Sequence, residues 1–222
     1  MKHESSTHFI NRYHAAQQLI SNLGRFENSN CCVIAISNGA VAIASHVARR
    51  LDAELIFIPT EKIKDPADPL KSIGVVSFDY TVADSIQRDI PQDYIYQQTR
   101  RLRSELFTRY SDMYSPIDSK FHNRIVILID DLVQTSDEIL GCLRTIRAKE
   151  SKEIIVAVPV ITQRAAHEVI QEADSVIFIH VASEDSIKNC YMDFDTITDE
   201  EVRELMKLSI EEIVESKLSN HN

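Results

Sequence analysis

Asp130 and Asp131, two consecutive carboxylates at the end of an apolar run in VILIDDLVQTSDE (126–138), are the residues whose type and spacing best suit chemistry. Adjacent aspartates at a strand end accept hydrogen bonds from vicinal sugar hydroxyls, or hold the water shell of a Mg²⁺ that bridges to a substrate. The polar stretch that follows, with Thr135, Ser136, Asp137 and Glu138, leads into a helix-forming sequence. A turn that opens a helix presents backbone N–H groups and the positive end of the helix dipole, which together suit a phosphate. A plainer reading of the same residues stands level with this one. In it the aspartates are polar residues where a strand leaves the core, and Thr135 or Ser136 is the helix N-cap.

The flanking sequence supplies a scaffold for that turn. CCVIAIS (31–37) is a short continuous apolar run followed by Asn38-Gly39, the pattern of a buried strand that ends in a tight turn. A helical segment, AVAIASHVARRLD, and a second strand-like run, AELIFIP (53–59), complete a strand-helix-strand unit. Residues 60–74, with Pro66, Pro69 and Ile73-Gly74, and the polar residues 111–124 read as loops on either side of a helix over about 93–110. The alternation resumes with RIVILIDD (124–131), a helix over about 136–149, EIIVAVPV (153–160), a helix over about 163–172 and SVIFIHV (175–181). An acidic helix over about 198–218 closes the chain.

The pattern predicts an α/β fold, a five-stranded, mostly parallel sheet with helices on both faces. One domain over 1–222 is expected, with its core at about 31–60 and 124–182 and a long excursion at about 61–123. In such sheets ligands collect beyond the carboxyl ends of the strands where strand order switches. The turns after residues 37, 59, 131 and 160 are therefore the places to look.

Composition narrows the function. No apolar stretch reaches the roughly 18–20 residues of a membrane span. The N-terminus lacks the apolar region and cleavage site of a secretory signal, so a cytoplasmic protein with no membrane partner is expected. Four cysteines (Cys31, Cys32, Cys142, Cys190) show neither paired CxxC spacing nor a disulfide framework, and buried free thiols are expected. A net charge of −10 argues against nucleic acid as a partner. The one basic stretch, RRLRSELFTR (100–109), contains Glu105 and reads as a solvated helix face. His46 and His180 lack metal-site spacing, and Tyr94, Tyr96 and Tyr110 fit core packing of the excursion's helix better than base stacking. No GxSxG, Walker A, HExxH or GxGxxG pattern occurs.

IVILIDDLVQTSDE is similar to the signature of the type I phosphoribosyltransferases: a hydrophobic strand, two acidic residues and a small Thr/Gly-rich loop for the 5-phosphate of phosphoribosyl pyrophosphate. AISNGAVAIASHVARRLDAELIFIPTEKIKDPADPLKSIGVVSFD resembles the front of a bacterial branch of that family, and YMDFDTITDEEVRELM its C-terminal helix. The resemblance spans about residues 5–206. It implies a parallel sheet core with a hood and flexible loop at 61–123, a cytoplasmic enzyme of nucleotide metabolism, and a homodimer. It also implies Mg²⁺-dependent transfer of a ribosyl 5-phosphate group to a nitrogen nucleophile such as a nucleobase. Asp130 and Asp131 then face the ribose hydroxyls and a hydrated Mg²⁺. Thr135, Ser136, Asp137 and Glu138 form the phosphate loop, and Asn38, Gly39 and Lys62 lie on the pyrophosphate side.

The chain departs from that pattern at the loop. The family's Thr-Gly-small-Thr is here Thr135-Ser136-Asp137-Glu138, which loses the glycine and adds two negative charges in the first helical turn. Asn38 and Glu61 stand where the branch has arginines. A pyrophosphate leaving group calls for positive charge, so a second reading stands beside the enzyme: a member that keeps the fold and binds a nucleotide or a protein partner without catalysis. A scaffold using the acidic C-terminal helix rests on charge alone.

Overall fold

In chain order the elements are α1 (Arg12–Leu23), β1 (Cys31–Ala35), α2 (Asn38–Leu51), β2 (Glu54–Phe57), β3 (Glu61–Lys64), β4 (Ser72–Val76), β5 (Thr81–Ala83), α3 (Gln92–Tyr110), β6 (Ile125–Ile129), α4 (Asp137–Arg147), β7 (Glu153–Thr162), α5 (Gln163–Ile170), β8 (Ser175–Ala182) and α6 (Asp199–Ser219). They come from a computed structural model that describes residues 8–69, 71–83, 90–117 and 120–219, with side chains as far as Glu211. Parts of the expected excursion, at 70, 84–89 and 118–119, lie outside the described residues.

Five strands form one sheet in the order β2-β1-β6-β7-β8, each neighbour pair parallel. β1 and β6 are buried along their whole length, which is why they read as unbroken apolar runs rather than alternating ones. The period-2 geometry of a strand sends their side chains to two cores. Val33, Ala35, Ile127 and Ile129 face one core with α1, α2 and α6, while Cys32, Ile34, Val126 and Leu128 face the other with α4 and α5. Helices therefore cover both faces, as expected. All four cysteines are buried free thiols. Burial pushes Cys32 and Cys142 up to about 12, far from the range of a reactive thiolate.

Strand order switches at β1. The chain passes from β1 to β2 on one side and returns, after the excursion, to β6 on the other. The carboxyl ends of β1 and β6 thus open a crevice between their following turns.

Two local expectations are corrected. Asn38-Gly39 is not a tight turn: Ser37 is the N-cap of α2, its hydroxyl accepting from the Ala40 N–H at 3.1 Å, and Asn38 and Gly39 are the first helical residues. Residues 60–74 are not all loop, because β3 and β4 pair antiparallel there and β5 adds a third strand. The glycine at 74 permits this pairing, since a Cβ there would meet the Val82 carbonyl oxygen at 2.5 Å. Ser136 is the N-cap of α4, one of the two residues expected there, though its side chain makes no capping hydrogen bond.

α1 escaped the sequence reading, although Ala15, Ala16, Leu19 and Leu23 recur at helical spacing and are all buried. Asn11 caps it by accepting the His14 N–H at 3.0 Å. In α3 the buried residues are Leu102, Leu106 and Tyr110, an i, i+4, i+8 stripe. The basic stretch at 100–109 is engaged internally. Arg101 pairs with Glu105, Arg103 donates to the Ser77 and Tyr80 carbonyls, and Arg109 pairs with Asp199. Among the described residues no helix is long and apolar enough to cross a membrane.

Candidate functional site

The turn after β6 delivers Asp130 and Asp131 to the crevice, and both are 7% exposed. Asp130 Oδ1 accepts from the Ser37 hydroxyl at 2.7 Å and from the Asp131 N–H at 3.0 Å. Burial, then the neighbouring charges of Asp131 and Glu138, push the Asp130 carboxyl well above the ordinary carboxylate range, against the pull of the Ser37 hydrogen bond.

Asp131 is held from three directions. Arg12 of α1 donates from Nε to its Oδ2 at 2.7 Å and from Nη1 to the Asp195 carbonyl at 2.6 Å. The same guanidinium lies 4.0 Å from the centre of the Phe194 ring, a cation–π contact. Tyr191 donates its hydroxyl to the Asp131 carbonyl at 2.8 Å. Gly39 makes this approach possible: a Cβ there would lie 1.9 Å from Asp131 Oδ2. The first turn of α2 and the aspartate pair are thus in contact through the absence of a side chain.

The second part of the site is the turn at 134–137 with the β3–β4 hairpin facing it. Lys62 Nζ is 3.0 Å from Glu138 Oε2 and donates to Thr135 Oγ1 at 3.3 Å. Burial works against the Lys62 charge, but Glu138 outweighs it and raises the ammonium's pKa. Glu138 Oε1 accepts from the Thr60 hydroxyl at 3.1 Å. Ser136 donates to Glu168 of α5, whose other oxygen accepts from Arg164 Nε at 3.1 Å. These two donors, Ser136 first, hold the Glu168 carboxyl below its usual range. A cavity of about 440 Å³ opens here, lined by Lys62, Lys64, Lys71 and Arg164 together with Ser136, Asp137, Glu168 and Glu184.

The structure therefore brings together Asp130, Asp131 and Gly39 in one cluster and Thr135, Ser136, Asp137, Glu138 and Lys62 in an adjoining one. Asn38 is turned elsewhere. Its amide donates to the Ile197 carbonyl at 3.1 Å and to Asp199 Oδ1 at 2.9 Å, and its oxygen accepts from Tyr110 at 2.9 Å. Asp199 also takes both a Tyr110 hydroxyl at 2.6 Å and a two-pronged Arg109 at 2.9 Å on each arm, so its carboxyl is held far below the usual range, chiefly by Arg109. Arg12, Ser37, Arg164 and Glu168 were missed by sequence reasoning. Ser37 carried a signal, an N-cap residue between a strand and a helix. Arg12 carried none, lying 119 residues from its partner.

Among the described residues no group of three or more His, Cys, Asp or Glu side chains forms a metal cage. The aspartate pair fits a different kind of ion. A Mg²⁺ that keeps most of its water needs one or two carboxylates, which is what Asp130 and Asp131 offer at the crevice.

A family profile described as the phosphoribosyl transferase domain matches residues 9–194. The crystal structure of TT1426 from Thermus thermophilus is similar at 26% identity and a TM-score of 0.73, over 89% of this chain and 97% of that one. A hypoxanthine phosphoribosyltransferase from Staphylococcus aureus aligns at 13% identity and a TM-score of 0.46, over 76% of this chain and 73% of that one. An adenine phosphoribosyl transferase from Trypanosoma brucei, solved with AMP, pyrophosphate and ribose-5-phosphate, aligns at 12% identity and 0.45, over 86% and 76%.

Proposed function

This chain belongs to the phosphoribosyl transferase family, and from that premise we propose that it binds phosphoribosyl pyrophosphate beyond the ends of β1 and β6 and passes the 5-phosphoribosyl group to a nitrogen nucleophile, a nucleobase or a related heterocycle. The observation that carries this reading is the placement of two buried, consecutive carboxylates at the switch in strand order, beside a helix-opening turn in a cavity walled by lysines. The β3–β5 sheet and α3 then serve as the hood of a single domain.

Asp130 and Asp131 accept hydrogen bonds from the ribose hydroxyls, which orients the anomeric carbon and favours positive charge developing on the ring. Arg12 and Ser37 act on those carboxylates, not on the substrate, and fix their direction. The 5-phosphate lies on the turn at 134–137, where the first N–H groups of α4 face it. The bond from the anomeric carbon to pyrophosphate breaks with its electron pair on the departing oxygen, a bond to the nucleophile's nitrogen forms, and the nitrogen gives its proton to water. Asp130 and Asp131 would hold a hydrated Mg²⁺ through its waters, and that ion supplies positive charge to the pyrophosphate.

Calorimetric titration with phosphoribosyl pyrophosphate, with and without Mg²⁺, tests the donor site. Mg²⁺-dependent binding in the micromolar range is expected, abolished by Asp130→Asn/Asp131→Asn. No heat at millimolar donor would sink the reading. A second reading, a member that binds without turning over, is favoured by the carboxylates of Glu138 and Glu168 on the cavity's donors. Release of pyrophosphate in the presence of a panel of nucleobases separates the two.

A further inference from the structure

Donors that line the loop cavity are already held by carboxylates of this chain. Glu138 spans Lys62 at 3.0 Å and Thr60 at 3.1 Å, while Glu168 spans Ser136 and Arg164, the latter at 3.1 Å. Each carboxylate uses both oxygens on one cation and one hydroxyl, the same mixture of donors that a phosphate monoester takes up. The two come from different elements, Glu138 from the first turn of α4 and Glu168 from the last turn of α5; Glu168, Ser136, Arg164 and Lys62 line the cavity, and Glu138 holds that lysine from outside the lining.

We propose that Glu138 and Glu168 are specificity-determining residues that compete with the ligand's phosphate for Lys62, Ser136 and Arg164, so that binding requires the cavity's donors to exchange an internal carboxylate for an external phosphate. The inference rests on the donor-site reading above and deepens it.

The exchange sets the ligand class. A neutral or singly charged ligand gains little by displacing a carboxylate from a lysine, because it returns no more charge than it removes. A phosphate dianion returns more, and a ligand that adds a pyrophosphate also reaches Lys64 and Lys71 on the hairpin wall. Affinity is thus lowered overall and lowered most for weakly charged ligands. That is discrimination by a built-in competitor rather than by shape.

The test compares wild type with Glu138→Gln and Glu168→Gln. The amide keeps the size and hydrogen-bonding reach of the glutamate and removes its charge. Calorimetry with phosphoribosyl pyrophosphate in Mg²⁺ and with ribose 5-phosphate should show each variant binding about tenfold more tightly, with the larger gain for ribose 5-phosphate. Thermal melting of the free proteins reports folding separately, and a merely structural role for either glutamate predicts weaker binding with a lower melting temperature. If wild type binds the donor and the variants bind it equally or more weakly, the competition is overturned and the donor site stands. If no protein of the set binds either ligand, the donor site falls and the competition falls with it.

Discussion

Gly39→Ala sets two effects of opposite sign against each other. Gly39 is the second residue of α2, and alanine is favoured over glycine in a helix by up to about 1 kcal/mol. By that measure the substitution stabilises. The added Cβ, however, falls 1.9 Å from Asp131 Oδ2, 2.6 Å from its Cγ and 2.9 Å from Arg12 Nε. The carboxylate must swing away and lose its 2.7 Å bond to Arg12, in a pair whose side chains are only 12% and 11% exposed. A hydrogen bond to a charged group at such a site contributes about 1.5–3 kcal/mol. The clash wins, and the variant should be less stable by about 1–2 kcal/mol. In an Asp131→Ala background the two closest clashes are gone and only the flexible Arg12 side chain has to give, so the same substitution should be neutral or stabilising by up to about 1 kcal/mol. Urea denaturation of the four proteins, followed by far-ultraviolet circular dichroism, yields both values and their coupling. A Gly39→Ala effect of the same sign and size in both backgrounds would refute the argument that close approach to Asp131 requires glycine here.

Asp199→Asn should cost about 1–2 kcal/mol at neutral pH, because Arg109, Tyr110 and Asn38 all donate to the lost charge. The folded carboxyl is depressed, so its contribution is present above the unfolded pKa and fades as pH falls below about 4. Denaturation of the two proteins at pH 7 and pH 3 should show the gap closing, and a constant gap would contradict the assignment. Asp130→Asn should raise the melting temperature of the ligand-free protein, since burial, Asp131 and Glu138 all disfavour an ionised group there and the amide oxygen still accepts from Ser37. Leu19→Ala in α1 should cost about 2–5 kcal/mol by denaturation, as expected for a fully buried leucine and not for a detachable N-terminal extension. We also expect a homodimer, and a monomer by size exclusion with light scattering would remove it.

The strands were legible because burial on both faces leaves an unbroken apolar signature, as in Ile125–Ile129 and its neighbour Cys31–Ala35. The aspartate pair was legible for the same reason, since two acidic residues after five apolar ones mark where the strand ends, even though both stay buried. β3 was not, because in Glu61–Lys64 only Ile63 is buried and the alternating charges resemble a loop. Asn38 stood one residue from the correct cap, and nothing in its neighbourhood indicated partners 159 and 161 residues away. The Arg12–Asp131 pair lies beyond local reading altogether. It depends on α1 packing against α2 and the face of the sheet, a matter of packing between elements rather than of pattern within one.

The four-way junction at Asp199 has a mechanical consequence. It fastens the carboxyl end of α3 to the starts of α2 and α6, while nearer the other end Tyr94 donates to the Lys64 carbonyl. At 1.5 Å per residue, 19 residues make a rod about 28 Å long. Arg109 also grips Glu61, next to Lys62, so the strand that carries the lysine nearest the phosphate turn is anchored to the same junction.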